Sequence, residues 1–219
     1  MVETRLTANF IAPNHDITAF ARWQRNTDPV RHWYEVGVGI WWRSNTVPLR
    51  TYEICSTLDV SLWLTAMEVG RHNWNISAAP VTFLLPCSSS DNRVIAMHHE
   101  ATWFGEVNAW PIGIPFRTDR FTLMLNSRRI TSYALERSPT DDAPIREATL
   151  STVITSVMGH ELGHVVGLQD GPSGSPLGPS YLLYFRDRAN ASIMNVDRDR
   201  LVVTRPTPFD IESVKMIYD

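Results

Sequence analysis

Gly159-His160-Glu161-Leu162-Gly163-His164-Val165-Val166-Gly167-Leu168-Gln169-Asp170 is the stretch from which the rest of the chain is read. Its pattern is H-E-x-x-H-x-x-G-x-x-D. On a helix, His160 and His164 stand one turn apart on the same face. Two imidazoles at that spacing can hold one zinc ion, and Glu161 beside them reaches a water on that ion. Gly167 is placed to end the helix or turn it sharply, because glycine adopts positive φ without steric cost. Such a turn carries Asp170 back to the metal as a third ligand. The competing reading is a surface helix with two unrelated histidines. Residues 152–168 are too apolar for a surface, and two buried histidines without partners would be costly.

Outward from the motif, the metal helix is expected over about 148–167. Residues 171–179 (GPSGSPLGP) cannot pack as a regular element and read as a surface loop beside the metal. Residues 181–185 are apolar and aromatic, so Tyr181 and Tyr184 are candidates to line a substrate pocket. Thr207 or Asp210 can cap a last helix over 209–218, with Ile211, Val214 and Ile217 towards the core. Upstream, residues 36–42 (VGVGIWW) read as a first strand and 43–56 as a loop broken by Pro48. A helix is expected over 61–74, capped by Thr57 or Asp59. Its apolar stripe is Leu62, Ala66, Val69 and Asn73, widened by Trp63, Met67 and Trp74. Residues 81–85, 93–97, 103–109 and 121–126 read as strands, and the polar, proline-containing 127–148 as a loop. His98, His99 and Glu100 read as a solvated strand end rather than a second metal site, since no further ligand cluster is close in sequence. Residues 1–35 form an irregular N-terminal extension, with His15 and His32 as surface residues, ahead of one catalytic domain over 36–219.

The totals narrow the function. The chain has 219 residues, is 43% hydrophobic and 20% charged, and carries a net charge of -3. Those values fit a globular domain and give no electrostatic case for nucleic acid or an anionic membrane. No apolar run approaches the ~18 residues of a membrane span. The first residues open no apolar leader, so the protein is expected to be made without one or to have lost it. Cys55 and Cys87 permit one disulfide and require none. Of the 20 basic residues, 19 are Arg and only Lys215 is Lys. GC-rich coding would favour arginine, but it would also raise Gly and Ala, which number only 11 and 15. Scarcity of lysine would spare a protein from ubiquitination in a eukaryotic cell. The corresponding expectation is a secreted or host-delivered protein, and rare lysine throughout the same genome would sink it.

The order of elements resembles the metzincin clan of zinc metallopeptidases: a strand, a long helix, several strands, the H-E-x-x-H-x-x-G-x-x-(H/D) helix, a methionine-containing turn and a C-terminal helix. An aspartate as third ligand is similar to the snapalysin-type branch, and residues 209–219 are similar to the end of a matrixin-like catalytic domain. The resemblance implies an α+β fold. Its sheet would be mixed, mostly parallel and twisted, of about five strands, with two long helices. The resemblance also implies a Met-turn at Met194, within residues 192–195. Many members carry Tyr two residues after that methionine, where this chain has Val196.

The expected activity is a zinc-dependent endopeptidase acting as a monomer on a protein or peptide substrate. His160, His164 and Asp170 are the expected Zn2+ ligands, and Glu161 is the general base that later protonates the leaving amine. An anionic ligand would leave the site at net +1 and make the ion a weaker Lewis acid than three histidines would. Substrate is expected to lie along the edge strand of Trp103, Gly105 and Val107. Two other readings are a non-catalytic binding domain on the same fold and a zinc hydrolase of a non-protein amide. The intact Glu161 argues against the first, and a small closed pocket would mark the second.

Overall fold

The computed structural model describes residues 51–56, 58, 61–84, 92–111, 118–166, 168, 170, 190 and 192–218. The expected first strand over 36–42, the N-terminal extension, Cys87, Tyr181 and Tyr184 lie outside them. The fold is α+β.

Among the described residues, the sheet begins where a loop was expected. Thr51–Glu53 (β1) pairs in parallel with Thr82–Leu84 (β3), and Cys55–Ser56 (β2) pairs in parallel with Arg93–Met97 (β4). Only Ile54 separates β1 from β2, and its N–H donates to the Leu84 carbonyl at 3.1 Å. One extended segment therefore joins both ladders. Its residues, TYEICS, alternate in the manner of a strand, and the weight given to Pro48 hid them. β4 then pairs in parallel with Thr118–Asn126 (β6). Gly105–Pro111 (β5) closes the order, antiparallel to β6, with an irregularity between Trp110 and Pro111. The described strands form a two-stranded ladder, β1–β3, and a four-stranded one in the order β2, β4, β6, β5, in which only the β6–β5 pairing is antiparallel.

Two long helices pack together: Ser61–Asn75 (α1) and Ala143–Val165 (α3). The stripe expected on α1 is rotated. Its buried residues are Ala66, Met67, Gly70 and Trp74, while Val69 is 45% exposed. Gly70 accounts for the rotation, because it lets α3 approach closely: a Cβ there would stand 2.9 Å from Met158 Cβ. Two hydrogen bonds cross the same seam. Trp74 Nε1 donates to the Gly159 carbonyl at 2.8 Å, and Thr155 Oγ1 donates to the Ala66 carbonyl at 3.2 Å. Trp74, Phe83 and Phe121 are fully buried. Burial of one such large apolar side chain contributes about 1.5–3 kcal/mol.

The segment expected as a loop over 127–148 is largely helical. Ser127–Arg137 (α2) follows β6 directly, and Asn126 caps it by accepting from the Arg129 N–H. Ile130, Tyr133 and Ala134 are buried at helical spacing. The arginines and serines on the other face obscured that stripe. α3 also starts earlier than expected, with Pro144 in its first turn, where a missing N–H costs nothing. Pro208–Tyr218 (α4) ends the described chain, with Val214 fully buried and Ile211 packed against the core. No helix among the described residues is long and apolar enough to cross a membrane.

Candidate metal centre

All fourteen residues buried in α3 include the whole motif from Gly159 to Val165. The helix ends at Val165, and Gly167, the residue expected to end it, lies outside the described residues. Val166 N–H bonds to Leu162 O, and Leu168 N–H reaches back to Gly163 O at 2.9 Å. The second bond is the 6→1 closure of a Schellman ending, with Gly167 beside the cap in the sequence. This closure does two things. It turns the Leu168 carbonyl onto His164 Nδ1 at 2.9 Å. It also brings Asp170 Oδ1 to 3.0 Å from His160 Nε2 and 3.3 Å from His164 Nε2.

His160 is held from farther away. Its Nδ1 lies 2.8 Å from the carbonyl of Ile193, 33 residues downstream. Ile193 belongs to the tight turn Ser192–Asn195, closed by Asn195 N–H to Ser192 O. Met194 in that turn is 4% exposed, and its sulfur lies against Gly163, where a Cβ would collide with it. Gly159 plays the same part for Ile193, whose Cδ1 would stand 2.7 Å from an added Cβ. The methionine turn therefore sits beneath the two histidines on two glycines. Buried Asp210, at the start of α4, fixes the turn from below. It accepts from Ser192 Oγ at 2.5 Å, Ile193 N–H at 2.9 Å, and Thr207 N–H and Oγ1, each at 2.8 Å.

These contacts test whether a metal fits. Each Nδ1 faces a carbonyl, and the tautomer that donates to that carbonyl leaves Nε2 with a bare lone pair. Both lone pairs then meet Asp170 Oδ1, a buried atom otherwise without a hydrogen-bond partner. Three acceptors within 4.8 Å of one another repel unless a cation lies among them. The group can hold a metal ion. Without one, a proton takes its place. Burial alone would lower His164, but the Asp170 carboxylate, then Glu161 and the Leu168 carbonyl, raise it to about 9. Burial would raise Asp170, but the two histidines hold it well below the usual carboxylate range. His160 goes the other way, to about 4, through burial and then the nearby Arg198 charge.

Glu161 is 3% exposed yet lines a cavity of about 270 Å³ with His160 and Asp170. Burial first, and then the Asp170 charge against the opposing pull of His164, raises its carboxyl to about 7. Gly105 makes room for it, since a Cβ there would stand 2.5 Å from Glu161 Oε1. The strand expected over 103–109 runs from Gly105 to Pro111, so Trp103 precedes it; Trp103 and Gly105 both line the cavity. Val107 does not; it is fully buried in the core because it falls on the inner face of β5.

Sequence reasoning missed Arg198, Arg200 and Phe104 in the same cavity. Arg198 is 2% exposed, with Nη1 donating to the Asn195 carbonyl at 3.0 Å and lying 3.1 Å from His160 Nδ1. Burial first, and then this positive charge, keeps His160 neutral, the form a metal ligand takes. Arg200 lies over the Phe104 ring, 3.8 Å from its centroid. The only signal for the two arginines was their place, four and six residues after Met194. Asp210 was read as a helix cap alone. His98, His99 and Glu100 are exposed, Glu100 pairs with Arg128, and His99 stacks on Trp103. Comparison of the chain with protein-family models, curated proteins and solved structures finds no match.

Proposed function

We propose that the protein is a zinc-dependent endopeptidase of the metzincin kind. The observation that carries this reading is the convergence of His160 Nε2, His164 Nε2 and Asp170 Oδ1 within 4.8 Å, with the Glu161 carboxylate facing the same cavity. His160, His164 and Asp170 would hold the ion; two nitrogens and one carboxylate oxygen suit zinc and leave it an open position. Bound zinc supplies Lewis acidity and lowers the pKa of water towards about 7.

The chain's own residues do the rest. Glu161 takes the proton of the attacking water and delivers it to the leaving amine. A carboxyl buried enough to titrate near neutrality is suited to both transfers. The Ile193 and Leu168 carbonyls hold each imidazole in one orientation. Met194 and Trp74 close the floor against solvent. The edge of β5 that pairs with no strand among the described residues offers backbone groups to an extended peptide.

A denatured proteome is the substrate for the test. It is digested by zinc-loaded protein, by the same protein with chelator, and by zinc-loaded Glu161→Ala. Cuts confined to the first sample are expected. Cuts that persist with Glu161→Ala, or their absence despite one zinc per chain, would count against the reading.

A further inference from the structure

Resting on the peptidase reading, we propose that the cavity beside Glu161 is a specificity pocket for a carboxylate, so that the enzyme selects substrates with an acidic side chain next to the cleaved bond. Two arginines point to this. Arg198 spends Nη1 on the Asn195 carbonyl and Nη2 on the Ser156 carbonyl at 3.2 Å. Arg200 spends Nη2 on the Val196 carbonyl at 3.1 Å and Nη1 on the Arg198 carbonyl at 3.5 Å. The Nε–H of each is buried without a hydrogen-bond partner, and neither guanidinium has a carboxylate within ion-pair distance among the described residues.

A cation buried without a counter-ion is costly, so such groups are ordinarily paired. The two acids in the same cavity are otherwise engaged: Asp170 faces the histidines, and Glu161 handles the proton. With a divalent ion bound, two positive charges on the metal and two on the arginines outweigh these two negative ones. Among the described residues the pocket thus carries an excess of positive charge, and guanidinium groups bind carboxylates well. Val157, Val196 and Phe104 also line the space and would suit the methylenes of a glutamate. An apolar residue would fill the volume but leave the two guanidinium charges without a counter-ion, which is the costlier outcome.

The test uses peptides that differ only in Glu against Gln, placed in turn at each position flanking the cleaved bond. Wild type is expected to favour Glu by about tenfold to a hundredfold in kcat/KM at one position. Arg198→Gln and Arg200→Gln should each bring that ratio towards one. Equal rates for Glu and Gln at every position, or variants that slow both peptides alike, overturn the proposal. Arg198 is buried, so the half-buried Arg200 carries the test if Arg198→Gln does not fold. A second readout needs no turnover. Zinc-loaded Glu161→Gln protein is titrated with three peptide hydroxamates whose adjacent side chain is Glu, Gln or Leu. The Glu probe should bind tightest, with a margin that shrinks in high salt; a Leu probe that binds tightest overturns the pocket assignment. If no peptide is cut but the Glu hydroxamate still ranks first, the pocket stands and the peptidase reading fails.

Discussion

His160 and His164 are one helical turn apart and make the same kind of bond, Nδ1 to a backbone carbonyl, yet their surroundings differ. The carbonyl on His164 comes from Leu168, four residues away, and that on His160 comes from Ile193, 33 residues away. The first is a product of how the helix ends. The second depends on the methionine turn, on Asp210 beneath it, and on the packing of Gly159 and Gly163. The charges differ as well. His164 lies among acids and holds a proton up to about pH 9, whereas burial and Arg198 keep His160 neutral down to about 4. In a group able to hold a metal, one histidine is thus set up locally and the other by the tertiary fold, and each half can be damaged separately.

Asp170→Ala strikes the point where the halves meet. It should weaken zinc by more than the roughly 10–100-fold that loss of an outer partner costs, read by competition with a chromophoric chelator. Unchanged affinity would remove Asp170 from the ligand set. Asp210→Ala attacks the distant half alone. Four donors lose their acceptor, so stability should fall by about 3 kcal/mol or more. Zinc affinity should fall roughly 10–100-fold through the displaced Ile193 carbonyl, while the imidazole signals of His164 stay in place by NMR. Equal disturbance of both histidines would mean that the halves are not separable.

The pH dependence sharpens the same contrast. In the metal-free protein the pKa of His164 rises from 6.5 to about 9. Its contribution to stability is therefore full below about pH 6.5 and is lost as pH rises through about 9. Metal must displace that proton, so affinity should climb about tenfold per pH unit up to about pH 9 and then level off. His160, neutral above about 4, adds nothing in this range. A profile already flat at pH 7 would show that His164 is not the proton's seat. The smallest effect belongs to Trp74→Phe, which removes one hydrogen bond to the Gly159 carbonyl beneath both halves. It should cost about 1–2 kcal/mol in thermal denaturation and leave zinc affinity within a few-fold.

What the sequence disclosed follows the same division. The motif, its helix and the Asp170 turn rest on spacings of ten residues or fewer, and they were legible. Strands β4 and β6 and helices α1 and α4 stood out because their apolar residues recur at fixed periods. α2 did not, because three buried residues, Ile130, Tyr133 and Ala134, are outnumbered by polar ones. β1 and β2 were masked by a nearby proline. Arg198 and Asp210 were illegible as site residues because a buried charge looks like any surface charge until its neighbours from remote segments are known.

The Gly163–Leu168 closure bears on the order of assembly. Bringing Leu168 onto His164 closes a loop of a few residues, whereas seating Ile193 under His160 closes one about eight times longer and costs more chain entropy. The His164 half can therefore form as soon as the helix does, and the methionine turn docks afterwards onto a floor already waiting. A zinc ion caught early by His164 and Asp170 would then serve as a template that draws His160 and its turn into place.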